Sequence, residues 1–291
     1  MTGYIFAALA VVVVFFIIVM VIDGNRFVIR EYTIKSDKVR DGVDIVVLAD
    51  LHNKQYGKKN KKLLAALDEV KPHVVMVAGD MLTAKPGKGH ELAAFFMEKV
   101  AEKYPVYYGL GNHEYRMKIY PKEYGNEFAE YIARLEKAGI QVLDNESALI
   151  QVQRDNRITD IRVTGVSIER LYYKRFRKIY MAPDYLESIT GRADERAFQI
   201  LLAHNPEYFE EYARWGANLI FSGHVHGGIM RLPFFGGVVS PKIVFFPKYD
   251  GGLFKKGDST MVLSRGLGMH TIPVRIFNPG ELVVVHLRPE K

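Results

Sequence analysis

Apolar and polar positions along the chain fall into three regimes. Residues 3–22 (GYIFAALAVVVVFFIIVMVI) are an uninterrupted, uncharged apolar run. At the helical rise such a run spans roughly 30 Å, the thickness of a bilayer core. It is apolar all round and offers water no face. No Lys or Arg precedes it, and Asp23-Gly-Asn-Arg26 follows with no Ala-x-Ala pattern. A retained transmembrane helix is therefore predicted, in place of a cleaved signal peptide or a core helix. Residues 1–25 are read as the anchor and 26–291 as one further domain.

The second regime alternates short apolar runs with amphipathic segments. Residues 26–35 roughly alternate and predict a strand beside the membrane. Asp41-Gly42 marks a turn. Continuous apolar runs at 44–49 (DIVVLA), 74–78 (VVMVA), 105–110, 197–203 (AFQILLA) and 218–222 predict buried strands. Helical spacing appears at 63–70, closed by Lys71-Pro72, and at 91–103, 127–138 and 208–215. Gly139 is a C-terminal stop. The third regime, 140–166, sets strand-like pieces between polar turns and predicts antiparallel strands. The last strands are read at 259–264 and 282–286.

Composition adds little except charge. The chain has 291 residues, a net charge of +7 and a pI near 9.3. That balance fits anionic lipid, nucleic acid or a phosphorylated substrate. There is no cysteine, which excludes disulfides and thiolate metal sites. Arg26, Arg30, Lys35, Lys38 and Arg40 follow the apolar run, so the positive-inside rule puts the body on the cytoplasmic side of a single span. Residues 169–181 (ERLYYKRFRKIYM) interleave bases with aromatics. They are read either as a helix with an aromatic core side or as an element lying on anionic headgroups. Nucleic acid is not expected as a partner.

Chemistry enters at the strand ends. Five apolar strands terminate in residues able to bind metal: Asp50 and His52, Asp80, Asn112 and His113, His204, and His224 and His226. Sites in α/β sheets collect at the carboxyl ends of strands. One such residue is often a helix cap or a turn; five strand ends in succession point to a site. Carboxylate, imidazole and amide oxygen without sulfur suit Mn, Fe, Zn, Ni or Co. There are more donors than one metal needs, so two divalent ions about 3.5–4 Å apart are expected.

The series Asp50-Leu-His52, Gly79-Asp80, Gly111-Asn-His-Glu114, His204 and Gly223-His-Val-His226 resembles the calcineurin-like metallophosphoesterases, in the family's order, over about 44 to 230. The apolar run, Ser264-Arg-Gly-Leu-Gly268 and Pro273-Val-Arg-Ile-Phe-Asn-Pro279 look like its membrane-associated bacterial branch. The resemblance implies an α/β/β/α fold, a two-sheet β-sandwich flanked by helices. It implies that Asp50, His52 and His226 bind one metal, that Asn112, His204 and His224 bind the other, and that Asp80 bridges them. His113 is then beside the leaving oxygen, with Glu114 orienting its imidazole. The implied reaction is hydrolysis of a phosphodiester or pyrophosphate, in a small-molecule or lipid-linked substrate, by a hydroxide held between two metals. A phosphomonoesterase or protein phosphatase, and a non-catalytic metal-dependent scaffold, are the alternatives.

Two positions depart from the branch. Val225 and Ile229 stand where Thr and Gln are usual, and Met230, Leu232, Pro233, Phe234 and Phe235 extend the apolar trend. They form either a loop tucked into its own core or a lip that meets acyl chains. Arg116 and Arg265 are candidates for phosphate binding. His73, His90, His270 and His286 are read as ordinary surface or core histidines.

Overall fold

The computed structural model describes residues 1–154, 157–174, 177–232, 235–239, 244–269 and 273–290. In chain order, α1 (Thr2–Asn25) leads into β1 (Phe27–Ser36), β2 (Val43–Leu48), α2 (Lys61–Val70), β3 (Val74–Ala78), α3 (Glu91–Ala101) and β4 (Val106–Gly109). The helices α4 (Asn112–Ile119), α5 (Pro121–Tyr124) and α6 (Glu127–Lys137) follow. Next come β5 (Gln141–Leu143), β6 (Ser147–Arg154), β7 (Arg157–Val166), α7 (Tyr185–Thr190), β8 (Phe198–Ala203), α8 (Phe209–Trp215) and β9 (Leu219–Ser222). The chain closes with β10 (Arg231–Leu232), β11 (Gly236–Gly237), β12 (Gly252–Lys256), β13 (Ser259–Leu263) and β14 (Gly280–Pro289).

Two six-stranded sheets, β1-β14-β2-β3-β4-β5 and β12-β13-β9-β8-β7-β6, form the centre. The period-2 alternation of strand side chains explains the layering. Ile45 and Val47 of β2 point between the sheets, with Phe198, Ile200, Leu202, Phe221 and Val262 from the other sheet. Val46 and Leu48 point the opposite way, onto Leu63, Leu67, Phe96, Met97 and Leu135 of α2, α3 and α6. On the far face of the second sheet, Leu201, Ala203, Ile220 and Met261 pack on Leu186, Phe209 and Tyr212 of α7 and α8. The order of layers is helix, sheet, sheet, helix, as the resemblance implies.

Parallel pairing runs through β2-β3-β4 and through β8-β9, so these five strands present their carboxyl ends together. The expectation of antiparallel strands over 140–166 holds only for β6 with β7. β5 pairs parallel to β4, and β7 parallel to β8, because each pair is joined by a helical crossover. The segment 169–181 is not a continuous helix among its described residues. A 3₁₀ turn covers Arg170–Tyr173. Tyr172 is core, packed on Tyr185 and Tyr208. Arg170 stacks on Tyr120 and donates to its hydroxyl, and Lys178 pairs with Glu211. Arg175 and Phe176 lie outside the described residues. Arg170, Tyr172 and Lys178 are thus occupied by protein partners, whereas Tyr180 is 77% exposed.

The helix α1 is long and apolar enough to cross a membrane, and none of its most apolar window is buried in the body. Its last turn is different. Asp23 and Gly24 are buried, Asp23 pairs with Arg26, and Asp23 Oδ2 accepts the backbone N–H of Asn278.

Phe198 lies in the core shared by the sheets and is 1% exposed. Phe198→Ala removes that packing from both layers and should cost about 3–5 kcal/mol. A urea titration of the detergent-solubilised protein measures it; a midpoint unchanged from wild type would contradict this account of the core.

Candidate metal centre

Each candidate side chain stands on the first residues after a strand. Asp50 and His52 follow β2, Asp80 follows β3, Asn112 opens α4 after β4, His204 follows β8, and His224 and His226 follow β9. The backbone at these ends is unusual. Asp50, His52, Asp80, His224 and His226 have φ of 52°, 50°, 57°, 73° and 51°. Left-handed backbone is uncommon outside glycine, and such strain collects at functional sites. It turns these side chains back across the strand ends into one focus.

Hydrogen bonds fix the turns. Asp50 N–H donates to Gly79 O, and His52 N–H to Asp80 O. The sheets are tied across the site by His224 N–H, which donates to both Asp50 oxygens (3.1 and 3.0 Å), and by His204 Nδ1–H, which donates to Ala78 O (2.6 Å). Two glycines make room. A Cβ on Gly111 would overlap Asp80 Oδ1, and one on Gly223 would overlap Asp50 Oδ2.

The result is two clusters that meet. Ligand atoms of Asp50, His52 and His226 lie within 4.8 Å of one another, as do those of Asp80, His204 and His224. Asp80 also groups with His52 and His113, so it reaches both clusters. His226 Nε2 is 3.5 Å from Asp50 Oδ1, and His204 Nε2 is 3.1 Å from Asp80 Oδ2. Asn112 Oδ1 is buried with no hydrogen-bond partner. A buried polar oxygen of that kind demands one, and a cation would satisfy it. The donors are oxygen and nitrogen only, and they fit a pair of divalent ions.

Tautomers separate the histidines. In the neutral ring His204 gives its Nδ1–H to a carbonyl and keeps the Nε2 lone pair toward the carboxylates, the form a metal ligand needs. His113 is reversed: its Nδ1 accepts the Ala84 N–H at 2.8 Å. In the neutral ring the proton is therefore on Nε2, which faces Asp80 Oδ2 at 3.9 Å. That makes His113 a donor toward the site.

Glu114 departs from expectation. Its carboxylate is not on the His113 ring. Oε2 accepts from the N–H of Asp80 and Gly111, and Oε1 from Met81 N–H and the Tyr108 hydroxyl, at 2.8–3.0 Å. It holds the Asp80 turn and caps α4 as its N3 residue. Burial, with the charge of Asp80, pushes Glu114 up to about 7 against those bonds.

Electrostatics show how strongly the buried charges act on one another. Burial, together with Asp80 and opposed by His204, pushes Asp50 up to about 7. Burial acts on Asp80 too, but His204, His113 and His52 outweigh it and hold Asp80 well below the usual carboxylate range. Burial opposes charge on His204, yet Asp80 and Asp50 push it up to about 10. Without cations, protons supply the positive charge.

Arg116 pairs with Glu123, and Arg265 with Glu281, so both expected phosphate contacts have internal partners. Tyr173, read from the sequence only as one of the aromatics of 169–181, lies edge-on to His224 with ring centroids 5.1 Å apart. Asn278 was also not singled out individually. Its side chain is buried and donates to the carbonyls of His226 and Gly228 (2.8 and 2.7 Å). Arg275, equally buried, donates to the carbonyls of Arg265, Gly266, Gly268 and Asn278 and so knits the loop beneath Asp50. These last two residues give the Pro273–Pro279 motif its physical content.

A family model described as calcineurin-like phosphoesterase matches residues 43–228, the stretch that carries every candidate ligand. The chain is 26% identical over 264 residues to an uncharacterised metallophosphoesterase, YkuE, of Bacillus subtilis, covering 89% of this chain and 84% of that protein. It is 25% identical over 265 residues to a metallophosphoesterase of Aquifex aeolicus, covering 89% and 91%. A transmembrane protein with metallophosphoesterase domain from Danio rerio is 27% identical over 255 residues, which are 85% of this chain and 54% of that protein.

The metal-free protein should lose stability as pH rises. Asp50 and His204 hold protons when folded that the unfolded chain releases, so unfolding releases protons and stability falls with pH. For His204 the contribution is full below 6.5 and is lost as pH approaches about 10; for Asp50 the fall runs from 3.8 to about 7. The lowered Asp80 gains its share at pH values below 3.8 and does not oppose this trend. Thermal melts of chelator-treated protein check the sign; a melting temperature that climbs from pH 6.5 to 9.5 would contradict it.

Proposed function

The chain belongs to the calcineurin-like phosphoesterase family and is a metal-dependent phosphoester hydrolase; from that membership we propose that it is a membrane-anchored, dinuclear enzyme acting on phosphodiester or pyrophosphate bonds, with lipid-linked compounds as its substrate class. The observation that carries the dinuclear reading is Asp80, shared between the two clusters. We assign Asp50, His52 and His226 to one ion, Asn112, His204 and His224 to the other, and Asp80 to both. Manganese is the first assignment for the pair, with Fe, Zn, Ni and Co as alternatives of the same donor preference.

When bound, two such cations supply Lewis acidity toward phosphate oxygens and acidify a water at neutral pH. The chain's own residues do the rest. His204 and His224 approach from one sheet and Asp50, His52 and Asp80 from the other, so the phosphate is gripped where the sheets converge. His113 presents Nε2–H to the leaving oxygen and stabilises the charge that develops there. Glu114 is a positioning residue that sets the backbone of Asp80. The helix α1 is the anchor, residues 26–291 form the catalytic domain, and the Arg and Lys residues that follow α1 put that domain on the cytoplasmic side.

His113→Ala should keep both metals and lose about 10²-fold or more in turnover on substrates with poor leaving groups. Metal content measured beside kinetics tests the role, and either lost metal or unchanged turnover contradicts it. Asp80→Ala should lose both metals; a variant that stays bimetallic and active ends the bridging assignment. Hydrolysis of bis-p-nitrophenyl phosphate against p-nitrophenyl phosphate with Mn²⁺, followed by sugar-nucleotide and phospholipid panels, tests bond type and substrate class. Preference for the monoester sinks the diester reading.

A further inference from the structure

The body's exposed phenylalanines are unevenly placed. Among the described residues outside α1, the exposed phenylalanines are Phe235, Phe245, Phe246 and Phe277, at 72%, 66%, 59% and 42% exposure. All four belong to one assembly that follows directly from the histidine motif. Its strands are joined by main-chain bonds: Ile229 N–H to Val239 O, Arg231 N–H to Ile276 O, Phe246 N–H to Val238 O, and Ile276 N–H to Ile229 O. Leu232 and Val244 add to its outer face. Phe246 and Phe277 have φ of 46° and 52°. Left-handed backbone at a bulky residue is an outlier, and here it accompanies rings left in the open.

One contact locates this assembly. The Phe277 ring packs on Phe15 and Phe16 of α1, with centroids 6.4 and 6.3 Å apart. At 1.5 Å per residue those rings are roughly 14 Å along the helix from Asn25, a large fraction of a hydrocarbon core about 30 Å thick. The polar exit of the helix is marked by Asp23, Asn25 and Arg26, and Lys54 donates to Asn25. The loop that begins at Lys54 continues through Lys58, Lys59, Lys61 and Lys62, all exposed. If α1 spans the bilayer, Phe277 cannot remain in water.

We propose that this assembly is a second membrane contact: Phe235, Phe245, Phe246 and Phe277 enter the leaflet from which α1 emerges, and the Lys54–Lys62 loop meets anionic headgroups. The inference rests on the reading of α1 as a transmembrane anchor and deepens it, because it seats the metal centre at the lipid surface. His226 is then three residues before Ile229, where the membrane-facing assembly begins, and substrate reaches the metals along the interface. Rings in hydrocarbon and bases at the headgroup layer are the arrangement of interfacial elements.

The absence of cysteine permits a direct test. Single-cysteine variants of the full chain are spin-labelled and reconstituted in vesicles of phosphatidylcholine with phosphatidylglycerol, and collision with oxygen is compared with collision with a water-soluble nickel chelate. Val13→Cys reports on the helix. Phe235→Cys and Phe246→Cys report on the proposed contact. Glu130→Cys, on α6 beside the edge of the first sheet opposite β1, is the aqueous reference. Labels at 13, 235 and 246 should all shift from chelate-accessible toward oxygen-accessible relative to 130. A lipid-buried label at 13 with aqueous labels at 235 and 246 overturns the docking and leaves the anchor standing. An aqueous label at 13 overturns both.

Discussion

Two carboxylates, Asp50 and Asp80, sit almost completely buried at the ends of neighbouring parallel strands. Isolated buried charges are very costly, and like charges side by side are worse. The rest of the centre answers that constraint. Backbone N–H groups of His224 and His113 approach the carboxylates, and imidazoles from both sheets surround them. A centre of this composition is poised for cations, because protons can neutralise it only by occupying the nitrogens and oxygens that metals use.

That requirement explains the architecture better than the core does. Either sheet alone supplies only part of the donor set. The sandwich brings the carboxyl ends of β2, β3 and β4 against those of β8 and β9, so the hydrophobic layer between the sheets aligns the polar cluster at its rim. Left-handed backbone at five of the donors shows that local geometry has been sacrificed to that alignment.

The buried strands were legible because each is a short, continuous apolar run closed by a polar residue, and the donors were legible because they are those closing residues. Other features left no such trace. Pairing direction over 140–166 depends on which crossover intervenes, which alternation does not encode. The orientation of Glu114 depends on four hydrogen bonds from groups at 80, 81, 108 and 111, three of them main-chain N–H groups invisible in side-chain pattern. Residues 169–181 carry the composition of an interfacial helix, yet Tyr172 and Tyr173 face opposite demands, one in the outer core and one beside His224, and a regular helix serves neither. Asn278 acts on carbonyls far along the chain, and Arg275 on main-chain carbonyls of the preceding loop, relations that side-chain spacing alone does not reveal.

The buried last turn of α1 has a consequence for any body cut free of that helix. Asp23 holds Asn278, and Asn278 holds the carbonyls on either side of the turn after His226. The end of α1 is thus tied through Asn278 to the turn that carries His226. A protease that clipped the chain at Asn25–Arg26 would release a body deprived of one of its own struts, with the His226 loop loosened as the fragment drifted off. Cutting and inactivation would then be a single event, and a shortened chain would have to keep Asp23.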